Sequence, residues 1–221
     1  MIAANSICFS YGTHRILDHL TVSAENGTCV VLAGPNGSGK STAISILAGV
    51  LRPDAGSISA CGNVGYSPQG TTLFEDLTVG DNLRFFAKLA GCHVPKRLPF
   101  GVEARADLRV SRLSLGMKRQ VSIACALLGN PENVLLDEPC ASLDVDYREE
   151  LEALVLRLKA EGRAVLYVGH DPNEFVRFCD RLVFLGQQPE TFRREELAGV
   201  PDDQAHFCES YRALFRTINR K

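Results

Sequence analysis

Hydrophobic and polar positions change their period along this chain. In the first third, residues 6–10 and 20–24 alternate on a two-residue period, which predicts short strands. Turn residues punctuate them at Tyr11-Gly12 and Asn26-Gly27. Residues 57–60 and 64–66 predict two further short strands, and the apolar run 29–33 predicts a buried one. From 77 to 120 the pattern becomes helical, with a helix over 79–90 that stops at Gly91. Residues 93–107 contain Pro and Arg with weak periodicity and predict no defined element. The last third alternates strand and helix. Strands are expected at 133–136, 164–168 and 181–185. Leu151, Leu154, Val155 and Leu158 fall on one helical face, so 147–161 is an amphipathic helix ending before Gly162. Asp171 caps another helix, with Pro172 at its first position and Glu174 completing a capping-box-like pattern. A last amphipathic helix over 206–221 gathers Phe207, Tyr211, Leu214, Phe215 and Ile218 on one side and is expected to pack on the core. A membrane-surface contact through Arg212, Arg216, Arg220 and Lys221 is its alternative role.

Strands alternating with helices predict an α/β fold, a parallel sheet covered on both faces, with ligands at the carboxyl ends of its strands. The chain has 221 residues, 45% apolar and 23% charged, which fits one compact unit. A net charge of −2 gives no basic footprint, so no nucleic-acid partner is expected. No apolar stretch approaches the ~18 residues of a membrane span, and residues 1–20 do not read as a secretory signal. A cytosolic chain is expected, which needs a separate partner to act at a membrane. The eight cysteines are scattered, form no C-x-x-C pair and have no accompanying His cluster. They read as reduced, mostly buried thiols rather than zinc ligands or disulfides.

The strongest chemical signal is Gly34-Pro35-Asn36-Gly37-Ser38-Gly39-Lys40-Ser41-Thr42, which satisfies G-x-x-x-x-G-K-[ST]. Its glycines let consecutive N–H groups turn inward around phosphates. Lys40 sets a positive charge against the β- and γ-phosphates, and the Ser41 hydroxyl suits Mg²⁺. The strand before it and the helix-forming run 41–51 after it are the required context, and the helix N-terminus favours an anion.

Residues 134–138, Val-Leu-Leu-Asp-Glu, form an apolar strand ending in two acids. Two carboxylates at a core edge are costly unless something cationic compensates. Beside the phosphate loop, Asp137 fits a metal held through its hydration shell and Glu138 the polarising of a nucleophilic water. His170 stands at the carboxyl end of a predicted strand, near that nucleotide site. Gln69 follows Tyr66-Ser67-Pro68, and Tyr11 is an aromatic in a turn. Ser114 and Gly116 lie at the start of a helix running to Leu128, a second potential anion site, with Lys118 and Arg119 adding positive charge nearby.

In this order, these residues resemble the ATPase subunit of ATP-binding cassette (ABC) transporters, from Ile2 to about Leu185. Tyr11 matches the adenine-stacking aromatic, residues 34–42 Walker A, Gln69 the Q-loop glutamine, and residues 113–117 the signature sequence. Asp137 and Glu138 match Walker B, Ser142-Leu143-Asp144 the D-loop, and His170 the switch histidine. The resemblance implies a P-loop NTPase core with a mainly parallel sheet, a small antiparallel β subdomain and an inserted helical subdomain. The corresponding division is 1–69 and 118–200 for the core, 70–117 for the helical part and 201–221 for a terminal helix.

The resemblance also implies Mg²⁺-dependent ATP hydrolysis, with Gln69 joining Ser41 and Asp137 at the metal. A second cassette, identical or different, would pair head to tail, so that Ser114 and Gly116 reach the γ-phosphate in trans and Asp144 joins the nucleotide site. A membrane permease in a separate chain would dock around Leu73, Phe74 and Leu77, holding the protein at the inner face of the cell membrane. The signature reads LSLGM, where LSGGQ is commoner, and with the following Ala-Leu-Leu-Gly-Asn-Pro resembles antibiotic-resistance and lantibiotic-immunity exporters. The segment between Gly91 and Leu113 is short for the family, and no added regulatory domain is expected after the last strand. A soluble ABC ATPase acting on nucleic acid, ribosomes or cofactor assembly is the alternative.

Overall fold

A computed structural model describes residues 1–140, 145–186, 189–199 and 203–218. Ser142, Leu143 and Asp144, and the basic pair Arg220 and Lys221, lie outside the described residues.

The chain opens with a hairpin, β1 (Ile2–Tyr11) and β2 (His14–Ala24), and enters the core at β3 (Cys29–Ala33). Helix α1 (Lys40–Leu47) follows, then β4 (Ala55–Ala60) and β5 (Val64–Ser67). Helix α2 (Val79–Leu89), a 3-10 segment at Pro99–Arg105 and helix α3 (Leu115–Ala126) form the middle of the chain. Then come β6 (Asn133–Asp137), α4 (Val145–Ala160), β7 (Ala164–Val168) and the short α5 (Pro172–Phe175). Strands β8 (Arg181–Phe184) and β9 (Glu190–Arg193) and helices α6 (Arg194–Ala198) and α7 (Gln204–Ile218) complete it.

Strands β2-β1-β4 make an antiparallel sheet, and β5-β6-β7-β3-β8-β9 a six-stranded one. The first five of the six are parallel, and β9 runs antiparallel to β8 at the edge. The sheet is therefore α/β and mainly parallel, as the alternation of elements predicts. Its two faces follow the period of two along each strand. Val30, Leu32, Leu166 and Val168 pack against α1 and the inner face of the antiparallel sheet. Val31, Val134, Leu136, Val165 and Tyr167 pack against α4, α5 and α7. One covering layer is thus partly sheet, the small antiparallel β subdomain that the resemblance implies. Phe207 and Tyr211 are buried in the second cluster, with Leu214 and Phe215 against it, so α7 does pack on the core.

A third cluster joins Val79, Leu83 and Ala87 of α2 to Val102, Val110 and the face of α3 carrying Val121 and Ala124. Leu73 is buried in it, so of the three residues expected on a docking surface only Phe74 and Leu77 are exposed. Phe100 explains part of the aperiodic stretch: at φ 61 it leaves helical geometry and stacks on Tyr147, centroids 5.8 Å apart.

The two hairpin strands are longer than their alternation indicates. Ser6 and His19 both sit at φ 50, and the register shifts around them break the pattern as bulges do. The capping box expected at Glu174 is replaced by a bond across to the sheet. The Asp171 side chain accepts from the Asn173 N–H (3.0 Å), while the Tyr167 hydroxyl donates to the Glu174 carboxylate (3.4 Å).

Candidate nucleotide site

Parallel strands bring their carboxyl ends to one edge, and the chain leaves β3 there into residues 34–39. Gly34, Gly37 and Gly39 hold φ of 144, 80 and 92. Side chains are barred at two of them. A Cβ on Gly34 would lie 2.4 Å from the Leu185 carbonyl oxygen, and one on Gly39 2.7 Å from Leu17 Cδ2. The loop can therefore wrap tightly and deliver the first turn of α1, with its unsatisfied N–H groups, to a cavity of about 790 Å³. That volume lies in the range of small-molecule sites. Asn36, Gly37, Gly39, Lys40, Ser41 and Thr42 line it. Ser38 Oγ is buried without a hydrogen-bond partner among the described residues.

Lys40 begins α1 and is 5% exposed. Its Nζ donates to the carbonyls of Gly34 (3.0 Å) and Pro35 (2.8 Å), folding the cation back over its own loop. Burial lowers its pKa, and the nearby Glu138 and Asp137 act against that shift. The Ser41 hydroxyl donates to Asp137 Oδ1 at 3.2 Å. Asp137 is 2% exposed; burial pushes its carboxyl up, and the Ser41 bond opposes this. A buried carboxylate beside a hydroxyl is an oxygen donor pair that suits a hard divalent cation.

Glu138 follows β6 in a left-handed conformation, φ 47, which is strained for a residue with a Cβ. Its N–H donates to the Val168 carbonyl of β7 at 3.1 Å, which anchors the turn. Its carboxylate enters the cavity between two partners. Gln69 Nε2, arriving from β5, donates to Oε2 at 2.7 Å, and His170 Nε2, arriving from β7, pairs with Oε1. The Tyr211 hydroxyl of α7 donates to the His170 carbonyl at 3.0 Å, tying the terminal helix to the histidine's backbone. Tyr11 is 54% exposed at the cavity mouth, its ring edge-on to Phe9, and Ile16 lines the wall beside it.

Ser114 and Gly116 are not among the residues lining this cavity. Ser114 caps α3, its Oγ accepting from the Met117 N–H at 3.2 Å, and Leu115 beside it is exposed. Lys118 and Arg119 do not leave free positive charge there: Lys118 Nζ pairs with Glu75 at 2.5 Å, and Arg119 is buried. Asp144 lies outside the described residues. Residues absent from the motif reading are Ile16 and Tyr211. Tyr211 falls on the apolar side of the terminal amphipathic pattern, the one sign of its inward direction.

All the cysteines are free, and six of the eight are buried. One of them, Cys8, has a single histidine for a neighbour. Ligand atoms of Cys8, Asp18 and His19 lie within 4.8 Å of one another on the antiparallel sheet, where Arg15 already holds Asp18 at 2.6 Å.

The profile of the ABC transporter family matches residues 17–141. The Nod factor export ATP-binding protein I of Paraburkholderia xenovorans is 38% identical over 193 residues, covering 78% of this chain and 64% of the relative. That of Sinorhizobium fredii is 34% identical over 201 residues, covering 82% and 59%. The chain thus spans under two thirds of the length of these relatives. Among solved structures, the ATP-binding subunit of an ABC transporter superposes with a TM-score of 0.83 at 28% identity, covering 97% of this chain and 99% of that one. A dimeric bacterial ABC transporter cassette shares the fold at 23% identity, with a TM-score of 0.71 and coverage of 87% and 99%. The motifs, the cavity they line and the profile that spans more than half of the chain agree: it belongs to the ABC transporter family.

Proposed function

We propose that this chain binds and hydrolyses ATP as the motor subunit of an ABC-type exporter. The observation that carries the reading is the convergence on one cavity of the phosphate loop from β3, Gln69 from β5, Glu138 from β6 and His170 from β7. In this reading Tyr11 stacks on adenine, and the N–H groups of residues 34–42 cradle the phosphates. Lys40 leaves its carbonyl partners to meet the β- and γ-phosphates. Ser41, Asp137 and Gln69 are assigned to Mg²⁺, which supplies charge neutralisation at the phosphate oxygens. Glu138 accepts a hydrogen bond from the attacking water, and His170 fixes the carboxylate's orientation. Such catalysis is positioning and electrostatics.

Ser114 and Gly116 serve the nucleotide of a second cassette, which completes each site in trans, and Asp144 joins that interface. Residues 70–117 form a helical subdomain inserted in the core formed by 1–69 and 118–200. On it Phe74, Leu77 and Phe85 are exposed together, with Phe74 and Phe85 edge to face at 4.9 Å. An exposed aromatic cluster of this kind suits a partner surface, here the permease that would hold the chain at the inner membrane face. The export direction rests on the relatives named for Nod factor export and on the LSLGM sequence. The test is equilibrium binding of a fluorescent ATP analogue. Lys40→Ala is expected to weaken binding at least about tenfold, the loss of one charge-assisted phosphate contact. Unchanged affinity would remove the phosphate loop from the site.

A further inference from the structure

Arg119 is a buried cation that the catalytic reading leaves without a role. It lies on α3, one turn past the Ser114 cap, and is 5% exposed. Its Nη1 donates to the Pro68 carbonyl at 2.7 Å and, at a longer 3.4 Å, to that of Gly70. Those two carbonyls bracket Gln69, whose Nε2 holds Glu138 Oε2 at 2.7 Å. The same side of α3 touches the incoming strand at two more levels. Ser122 Oγ lies 3.4 Å from Ser67 Oγ. At Gly65 a Cβ would stand 2.2 Å from the Ala126 carbonyl oxygen, so helix and strand approach at backbone distance.

Packing alone does not account for this residue. Removing a guanidinium from water costs several kcal/mol unless its partners compensate. A methionine would fill a similar volume without that cost. What an apolar residue lacks is a nitrogen with two N–H donors, such as the Nη1 that reaches both carbonyls here. The charge is also felt beyond the loop, as one of the influences that lower the Asp137 carboxyl against the stronger upward push of burial.

We propose that Arg119 is a positioning residue that clasps the backbone on both sides of Gln69 and so sets the Gln69 amide against the Glu138 carboxylate. It makes α3, whose N-terminus carries Ser114, and the Gln69 segment move as one body. The proposal rests on the ATPase reading for its catalytic consequence, though the clasp itself does not.

Two readouts separate them. With the full chain, kcat and KM for Mg-ATP and the affinity for ATP are measured for wild type, Arg119→Met, Arg119→Lys, Gln69→Ala and the double variant Arg119→Met/Gln69→Ala. Arg119→Met is expected to lower kcat about 10- to 100-fold, the effect of misplacing a reacting group by about 1 Å. ATP affinity should stay within about twofold, Arg119→Lys should recover part of the rate, and the double variant should be no slower than Gln69→Ala alone. An unchanged kcat, or losses that multiply in the double variant, would overturn the positioning role. Hydrogen exchange reads the clasp without turnover. Residues 66–72 should exchange faster in Arg119→Met and recover in Arg119→Lys, with 133–137 unchanged. Equal exchange at 66–72 overturns the proposal even in a chain that hydrolyses no ATP, whereas faster exchange in such a chain upholds the clasp and removes only the ATPase reading.

Discussion

Replacing Asn82 with alanine would cut the support from under the segment that joins Gln69 to α2. Asn82 is fully buried, at 0% exposure. Its Oδ1 accepts from the Phe74 N–H at 2.8 Å, and its Nδ2 donates to the Phe74 carbonyl at 3.1 Å and the Thr78 carbonyl at 2.9 Å. The side chain thus substitutes for backbone pairing in a stretch with no strand or helix of its own. Each such bond contributes about 0.5–1.5 kcal/mol net, so losing all of them costs about 3 kcal/mol. At about 2–4 °C per kcal/mol for a chain of this size, the expected fall in Tm is about 6–12 °C. Circular dichroism followed with temperature reads it directly, and a urea series should move its midpoint with little change in slope. Asn82→Asp offers a finer test. It keeps the acceptor for Phe74 but loses both donations and buries a charge, so at neutral pH it should be at least as destabilised as Asn82→Ala. A Tm for Asn82→Ala within about 2 °C of wild type would refute the account, because even at the low end of both ranges the three losses together come to about 3 °C.

Gly65→Ala should lower stability by about 1–3 kcal/mol through overpacking, since its Cβ would meet the Ala126 carbonyl oxygen at 2.2 Å and Pro131 Cγ at 2.7 Å; a Tm equal to wild type would show that α3 can yield there. Burial pushes the Glu174 carboxyl up from 4.5 to about 7, so the folded state disfavours its charged form, and stability present below pH 4.5 is lost as pH rises through 7. Glu174→Gln should therefore match wild type in acid and exceed it above pH 7, in thermal unfolding measured across that range; equal stability at pH 8 would contradict it.

The nucleotide cavity was legible because its pieces are local. A strand, a glycine turn and a helix start stand side by side in residues 29–47, and Glu138 and His170 sit at strand ends that any parallel sheet gathers. What escaped depends on distant partners. Strand β9, Glu-Thr-Phe-Arg, is a polar edge strand defined by pairing with β8 rather than by an apolar period. Bulges at Ser6 and His19 hid most of the length of β1 and β2. Leu73 looks like a loop residue until α2 and α3 close over it. Arg119 reads as surface charge next to Lys118, and only the tertiary fold shows that one points to solvent-exposed Glu75 and the other inward to the Gln69 segment.

The central claim is that Glu138 is the group that activates water in an ATP site built by residues 34–42. The most direct measurement is Mg-ATP hydrolysis by the purified chain and by Glu138→Gln, with ATP affinity measured in parallel. The glutamine retains the shape and a hydrogen bond with Gln69 or His170 but lacks the basic carboxylate. Wild type should turn over, and the variant should bind ATP at least as tightly while hydrolysing it at least about 100-fold more slowly, the scale of losing a general base. Full turnover by Glu138→Gln, with ATP bound normally, would contradict the assignment.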